Sequence, residues 1–316
     1  MKKLIYSTLA IALLAMTSCK KEEVIPPPTP TSNLSSYFSD NESNAIQTFT
    51  MDASIAMNMT GNNGVKIYVP ANSFVYSNGT QVTGTVTVEL IEVLDVSAMV
   101  KMNKTTTSNG ELLVSGGQIK ISASQNSSEI YLAPSAAINV SVPTAVADPQ
   151  MALFTGNQMS DGDVVWTSSL QDSSQQDSII ITQDTTGGGG WSTYYNFDFD
   201  NDSLGWINCD YWWNSGQSLT SVTASLDTAY NTSNTACYLV FPNINSVAAL
   251  YGTNVSGTFS ASGIPVNTSA TFVCISEIDD VYYSSFVTNT ISTNHVENIT
   301  MTETTLAAIE TAIDNL

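Results

Sequence analysis

Apolar and polar residues alternate along this chain in short, separated runs. Most of the runs have the period of two that a half-buried strand requires. In Val65-Lys66-Ile67-Tyr68-Val69 the residues Val65, Ile67 and Val69 share one face, and Pro70 ends the run. The longer segment 84–94 turns Val86, Val88 and Leu90 inward and Thr85, Thr87 and Glu89 outward. Further short strands are expected over 47–51, 118–123, 129–132, 138–142 and 151–154, with turn signals at Asn62-Asn63-Gly64 and Asn78-Gly79. Beyond residue 190, strands are expected over 196–199, 221–226, 236–241, 255–261, 270–277 and 281–287. The period then changes. Leu306, Ile309, Ile313 and Leu316 recur at helical spacing, and Glu303 sits where the helix dipole favours an anion. The pattern predicts an all-β fold: an antiparallel sandwich, then a second mostly β domain with a short C-terminal helix.

Composition divides the chain further. Lys2 and Lys3 precede an apolar run over 4–16 and the small residues Thr17 and Ser18, which reads as a secretory signal peptide over 1–18. Segment 19–36 carries Pro26-Pro27-Pro28 and Pro30 and reads as a stiff extended tether. A sandwich over 37–170 and a second domain over 191–316 are expected, joined by a Ser/Gly-rich linker over 171–190 that ends in four glycines. The 316 residues hold 8 basic side chains, all lysine, against 28 acidic ones, a net charge of −20. So few cations argue against a nucleic-acid partner. Three cysteines follow Cys19. One disulfide plus a buried thiol is the first expectation for Cys209, Cys237 and Cys274, and three buried free thiols the second. Spacing does not assign a pairing.

Met16-Thr17-Ser18-Cys19 resembles the lipobox of bacterial lipoproteins, with Met where Leu is usual. The resemblance implies cleavage before Cys19, a thioether diacylglycerol on its sulfur and acylation (palmitate or a similar chain) of its freed amine. Lys20-Lys21-Glu22-Glu23 looks like the signal that sends lipoproteins of Bacteroidetes to the outer face of the outer membrane. The run Gly64 to Phe74, followed by Val82-Thr83-Gly84-Thr85-Val86-Thr87-Val88, is similar to the core of ZU5-like domains over about residues 49–166. Such domains are non-catalytic interaction modules, so the resemblance implies a scaffold or binding surface and no active-site residues. Leu112-Leu113-Val114-Ser115-Gly116-Gly117 and 204–210 resemble stretches of Bacteroidetes surface proteins.

No catalytic constellation stands out. His295 is the single histidine, so Ser–His or Cys–His chemistry must use it, and it is expected exposed in a polar strand or turn. Asp198-Phe199-Asp200-Asn201-Asp202 approaches a calcium loop. Ser203, however, replaces the glycine and Cys209 the bidentate Glu of that motif. A looser Ca2+ site adding Asp210, or Asp279 and Asp280, stays open, and no other cofactor or metal is expected. A glycoside hydrolase would need paired carboxylates such as Glu89 and Glu92, or Asp279 and Asp280; neither pair is specific. The densest chemical feature is aromatic. Trp191, Tyr194, Tyr195, Trp206, Tyr211, Trp212 and Trp213 crowd one stretch. Core or interdomain packing covers several of them, and Trp206, Tyr211, Trp212 and Trp213 are the candidate platform for a glycan or protein ligand. The expectation is therefore a non-catalytic structural or adhesive lipoprotein held to the membrane by its lipid. Carbohydrate binding is the first alternative and hydrolysis the second.

Overall fold

The computed structural model describes residues 34–134, 136–145, 147–168, 179–184, 192–200 and 204–316. The signal peptide, Cys19, the Lys20, Lys21, Glu22, Glu23 cluster, the proline-rich segment to residue 33, the glycines of the linker and Trp191 lie outside the described residues. Among the described residues the fold is all-β with three short α-helices and a single 3-10 turn at Pro242–Ile244, and these residues form one compact unit.

Two sheets build the first sandwich. The first runs, in spatial order, Gln47–Asp52, Thr85–Val93, Glu111–Gln125, Trp206–Trp212, Ala152–Gln158 and Val164–Ser168. The second runs Ile180–Asp184, Ser192–Phe199, Ile138–Thr144, Lys66–Val69 and Met57–Thr60. All these pairings are antiparallel. The alternation seen in the sequence places the core: Val86, Val88, Leu90, Ile67, Val69, Val140, Phe197 and Phe199 meet between the two sheets. At the end of Thr85–Val93 the alternation gives way to an apolar run, and Ile91 and Val93 point out of the sandwich into a second core. Both faces of the sheet are covered there.

Thr107–Ser108 and Ser128–Glu129 also pair with Glu111–Gln125, and Phe74–Val75 pairs with Tyr131–Leu132 in a small two-stranded sheet. Eight further strands make one eight-stranded sheet, in the order His295–Asn298, Leu219–Ser225, Thr258–Pro265, Ser246–Gly252, Thr235–Phe241, Ser269–Ile278, Val281–Thr290 and Thr302–Thr304. One pairing, between Leu219–Ser225 and His295–Asn298, is parallel. One face of this sheet packs on itself through Val222, Leu239, Phe259 and Phe272. The other face supplies Tyr238, Val240, Val247, Val273 and Ile275 to the layer shared with the first sandwich. Three helices seal that layer: α1 (Leu34–Asn44), α2 (Val96–Lys101) and α3 (Leu306–Ile313). Asp95 caps α2 by accepting the Ala98 N–H, and Thr305 caps α3 the same way through Ala308.

Several expectations change. The strands Ser192–Phe199 and Trp206–Trp212, placed in the second domain over 191–316, pair instead with Ile138–Thr144, Glu111–Gln125 and Ala152–Gln158 of the first sandwich. A strand joins the sheet with a free edge in register, whatever its distance along the chain. The tether drawn over 19–36 runs into α1, whose Leu34, Tyr37 and Phe38 are buried. With three apolar positions in eleven residues, α1 depends on docking rather than propensity. The C-terminal helix lies where its spacing placed it. All three cysteines described are free and buried, so the disulfide expected first is absent. Cys209 sits in the first core, while Cys237 and Cys274 sit in the core of the eight-stranded sheet.

Candidate functional site

Hollows open where the first sandwich meets the eight-stranded sheet. Two hollows of about 290 and 480 Å3 share Asp163, Ala249 and Tyr251 in their walls. The larger alone, and the two together, fall in the size range of small-molecule sites, roughly 300–1,000 Å3. Strand Ser246–Gly252 explains Tyr251. Val247 and Ala249 turn toward the shared layer and Ala248 and Leu250 toward the sheet's own core, so Tyr251 continues the Val247 row and emerges at the rim, 58% exposed. Gly263 makes the approach of the two halves possible. It has φ +78, and a Cβ there would stand 2.5 Å from the Gly110 carbonyl oxygen.

The smaller hollow is apolar, with Phe38, Tyr238, Leu250 and Phe259 in its walls. The larger carries Thr107, Asn109, Ser221, Thr223, Ser260 and Ser262 beside Val164, Val165 and Ile264. Among the described residues none of these six polar side chains makes a hydrogen bond to another group of the protein. Asp163 is committed elsewhere. Its carboxylate accepts from the Thr105 N–H at 2.9 Å, the Thr105 hydroxyl and the Val164 N–H at 2.8 Å. Burial pushes its pKa up and those backbone bonds oppose the rise. The Tyr251 hydroxyl is pushed up to about 12, by desolvation first and then by Asp163 and Asp161.

Behind the groove the layer is locked by polar contacts. Lys104, whose side chain has no exposed surface, pairs with Glu42 of α1 at 2.9 Å and also donates to the Gly162 carbonyl. Lys120 reaches the other oxygen of Glu42 at 3.0 Å. Both ammonium groups lie over the Trp206 indole, 5.2 and 5.4 Å from its centroid. Across the layer the Thr106 hydroxyl meets Ser246 at 2.7 Å and takes the Val247 N–H at 2.9 Å. The Tyr238 hydroxyl donates to Asn103 at 2.7 Å. The Thr106 and Tyr238 bonds join the two halves beside the groove.

The aromatic platform expected at Trp206, Tyr211, Trp212 and Trp213 is not assembled. Trp206 is buried. Trp212 is half-buried edge-on to Phe154, at 5.0 Å between centroids, and Trp213 is half-buried against Phe241 in a different core. Tyr211 lies on the opposite face of the strand from Trp206 and Trp212. The reason is that the strand alternates its faces and Trp213 leaves it for another core: Trp206 lies under Lys104, Lys120 and Gln158, Trp212 packs on Phe154, and Trp213 packs on Phe241.

His295 is buried, not exposed. Its ring stacks on Phe272 at 5.6 Å, its Nε2 meets Glu297 at 3.2 Å, and its Nδ1 lies 3.2 Å from both the N–H and the hydroxyl of Ser292. This places serine, histidine and glutamate in one chain of contacts. Nδ1 accepts the Ser292 backbone N–H, which ties His295 to the preceding loop. Glu89 and Glu92 diverge. Glu89 accepts from Ser122 on the outer face, whereas Glu92 turns inward and accepts from Gln47, the Asn63 N–H and the Val65 N–H, each at 2.8 Å. Asp279 and Asp280, with φ 52 and 65, form the two-residue turn between paired strands. Asp198 accepts from Asn139 on the surface, whereas Asp210 is fully buried; Asn201, Asp202 and Ser203 lie outside the described residues. Among the described residues no three His, Cys, Asp or Glu side chains are grouped to hold a metal ion.

No family model matches the chain, and no curated protein matches it. Tyr251 and the polar residues around it escape a reading of the sequence. They come from strands far apart in the chain, and the one available signal is that Val247-Ala248-Ala249-Leu250-Tyr251 is an apolar run ending in an amphipathic ring.

Proposed function

We propose that this chain is a non-catalytic interaction module of the cell surface. In this reading a ZU5-like sandwich and a second β domain are held to the outer membrane, facing outward, by lipid on Cys19, with Lys20, Lys21, Glu22 and Glu23 as the export signal. The observation that carries the reading is the docked layer between the sandwich and the eight-stranded sheet. It draws the described residues into one compact unit and leaves a solvent-open groove at the junction. A rigid body with an open groove presents a surface at little entropic cost. The leader and the lipobox resemblance support the anchor, and each buried acyl methylene would contribute about 0.8 kcal/mol to membrane binding.

Two measurements test the proposal. Intact mass of the protein extracted from membranes is expected to show diacylglycerol and an acyl chain at Cys19, and an unmodified Cys19 sinks the anchor. Capture from solubilised envelopes with the full chain is expected to return a saturable ligand that is not turned over. Turnover of the captured ligand would move the chain to an enzyme class.

A further inference from the structure

The groove at Tyr251 carries a set of uncommitted polar side chains, and their chemistry selects a ligand. Six short side chains with hydroxyl or amide ends, Thr107, Asn109, Ser221, Thr223, Ser260 and Ser262, line the 480 Å3 hollow and make no hydrogen bond within the described protein. Apolar patches from Val164, Val165 and Ile264 lie between them. Tyr251 stands at the rim with more than half its surface exposed. The single carboxylate in this wall, Asp163, has its oxygens engaged by Thr105 and Val164, and no lysine or arginine lines the hollow.

Each class of ligand meets these facts differently. An anion finds no cation here and a chain of net charge −20 around it. A purely apolar ligand would strip water from six polar side chains and give nothing back, at a cost of order 1–3 kcal/mol for each group left unpaired. A divalent cation finds no free carboxylate. A neutral molecule with apolar faces and hydroxyl-bearing edges satisfies the hollow on both counts, because its C–H face can lie on the Tyr251 ring while its edges exchange hydrogen bonds with the surrounding hydroxyls.

The geometry points to a neutral saccharide as the occupant of this groove, bound across the junction with Tyr251 as its stacking residue. The inference rests on the interaction-module reading and supplies that module's ligand class. It also moves the carbohydrate site from Trp206, Tyr211, Trp212 and Trp213, which are buried or half-buried and do not share one surface, to a residue of the eight-stranded sheet.

The test uses the full chain in detergent. Calorimetric titration would be run with cellohexaose, chitohexaose and mannohexaose as neutral probes and oligogalacturonate as an anionic one. Tyr251→Ala removes the ring, and Ser221→Trp fills the hollow from an exposed position. Tyr68→Ala, an exposed tyrosine on the other sheet of the sandwich, is the control. The expected result is that a neutral probe binds, that both groove variants weaken it by about tenfold or more, the scale of one anchoring aromatic, and that Tyr68→Ala does not. Binding of oligogalacturonate alone, binding unchanged in both groove variants, or no binding of any neutral probe overturns the inference. Envelope capture separates the two levels. Capture of a protein ligand that is insensitive to Tyr251→Ala and to the oligosaccharides removes the saccharide site and leaves the module. Failure of envelope capture and of every probe removes both.

Discussion

Removing Glu42 tests the claim that a buried ion network docks α1 and so holds the groove's wall. Glu42 is the only carboxylate described against two lysines, one of which, Lys104, has zero side-chain exposure. Glu42→Ala leaves that ammonium buried with the Gly162 carbonyl, the Trp206 face and the more distant charge of Asp163 as partners. Breaking a buried pair from one side costs about 3–5 kcal/mol, whereas the contact to Lys120, 30% exposed, is worth about 0–1 kcal/mol. The expected loss is therefore about 3–5 kcal/mol, a large share of an ordinary domain's 5–15 kcal/mol. Glu42→Gln with Lys104→Met removes both charges and is expected to recover most of that loss. Urea unfolding followed by tryptophan fluorescence measures both. The pH dependence has a defined sign. Desolvation raises the Glu42 carboxyl, but the bonds and charges of Lys104 and Lys120 outweigh it and its pKa is lowered. The stabilisation is thus present above the unfolded carboxylate value of about 4.3 and is lost as pH falls through the lower folded value. A loss under about 1 kcal/mol for Glu42→Ala, or a double variant less stable than the single one, would refute the reasoning.

Asp210 gives the opposite pH sign. It is fully buried, burial pushes its carboxyl well above the ordinary value, and Oδ1 has no hydrogen-bond partner. Folding takes up a proton there, so this contribution falls as pH rises above about 4 toward the folded value; Asp210→Asn is expected to be more stable than the parent at pH 8 and to converge on it near pH 4, and parallel stability curves would contradict this. Cys237 and Cys274 are directly paired residues on neighbouring strands, whereas Cys209 lies in another core. A small-molecule disulfide, itself reduced to two thiols, is expected to oxidise these two cysteines to one bond that closes a loop of roughly 40 residues and adds about 4 kcal/mol in the chain-entropy account; a peptide map linking Cys209 instead would be decisive against it. Gly156→Ala sets a Cβ 2.4 Å from Val164 Cγ1 and 2.7 Å from Trp166 Cζ3, and overpacking of about 1–3 kcal/mol should appear as a lower thermal midpoint; an unchanged midpoint would show that the sheet relaxes there.

Local pattern carried the elements whose packing is local. Alternation placed the inward rows Val65, Ile67, Val69 and Val86, Val88, Leu90, because one face of each strand meets a core and the period of a strand is two. The i, i+3, i+4 spacing placed α3 with Ile309 and Ile313 buried. The apolar runs Leu90-Ile91 and Tyr238-Leu239-Val240-Phe241 already contained the third layer, since a strand covered on both faces loses its alternation; its residues divide between two cores. The weak apolar content of α1 hid that helix, whose burial comes from partners distant in the chain.

What the chain determined by itself is the all-β class, the inward faces of its stronger strands and the C-terminal helix, all of them consequences of periodicity within a few residues. Tertiary structure decided the rest. It assigned Ser192–Phe199 and Trp206–Trp212 to the first sandwich, buried Trp206 and His295, divided the cysteines between cores and assembled the groove around Tyr251. Each of these outcomes depends on which surface covers a given face. That is settled by pairing between segments tens to hundreds of residues apart, and no short-range spacing records it.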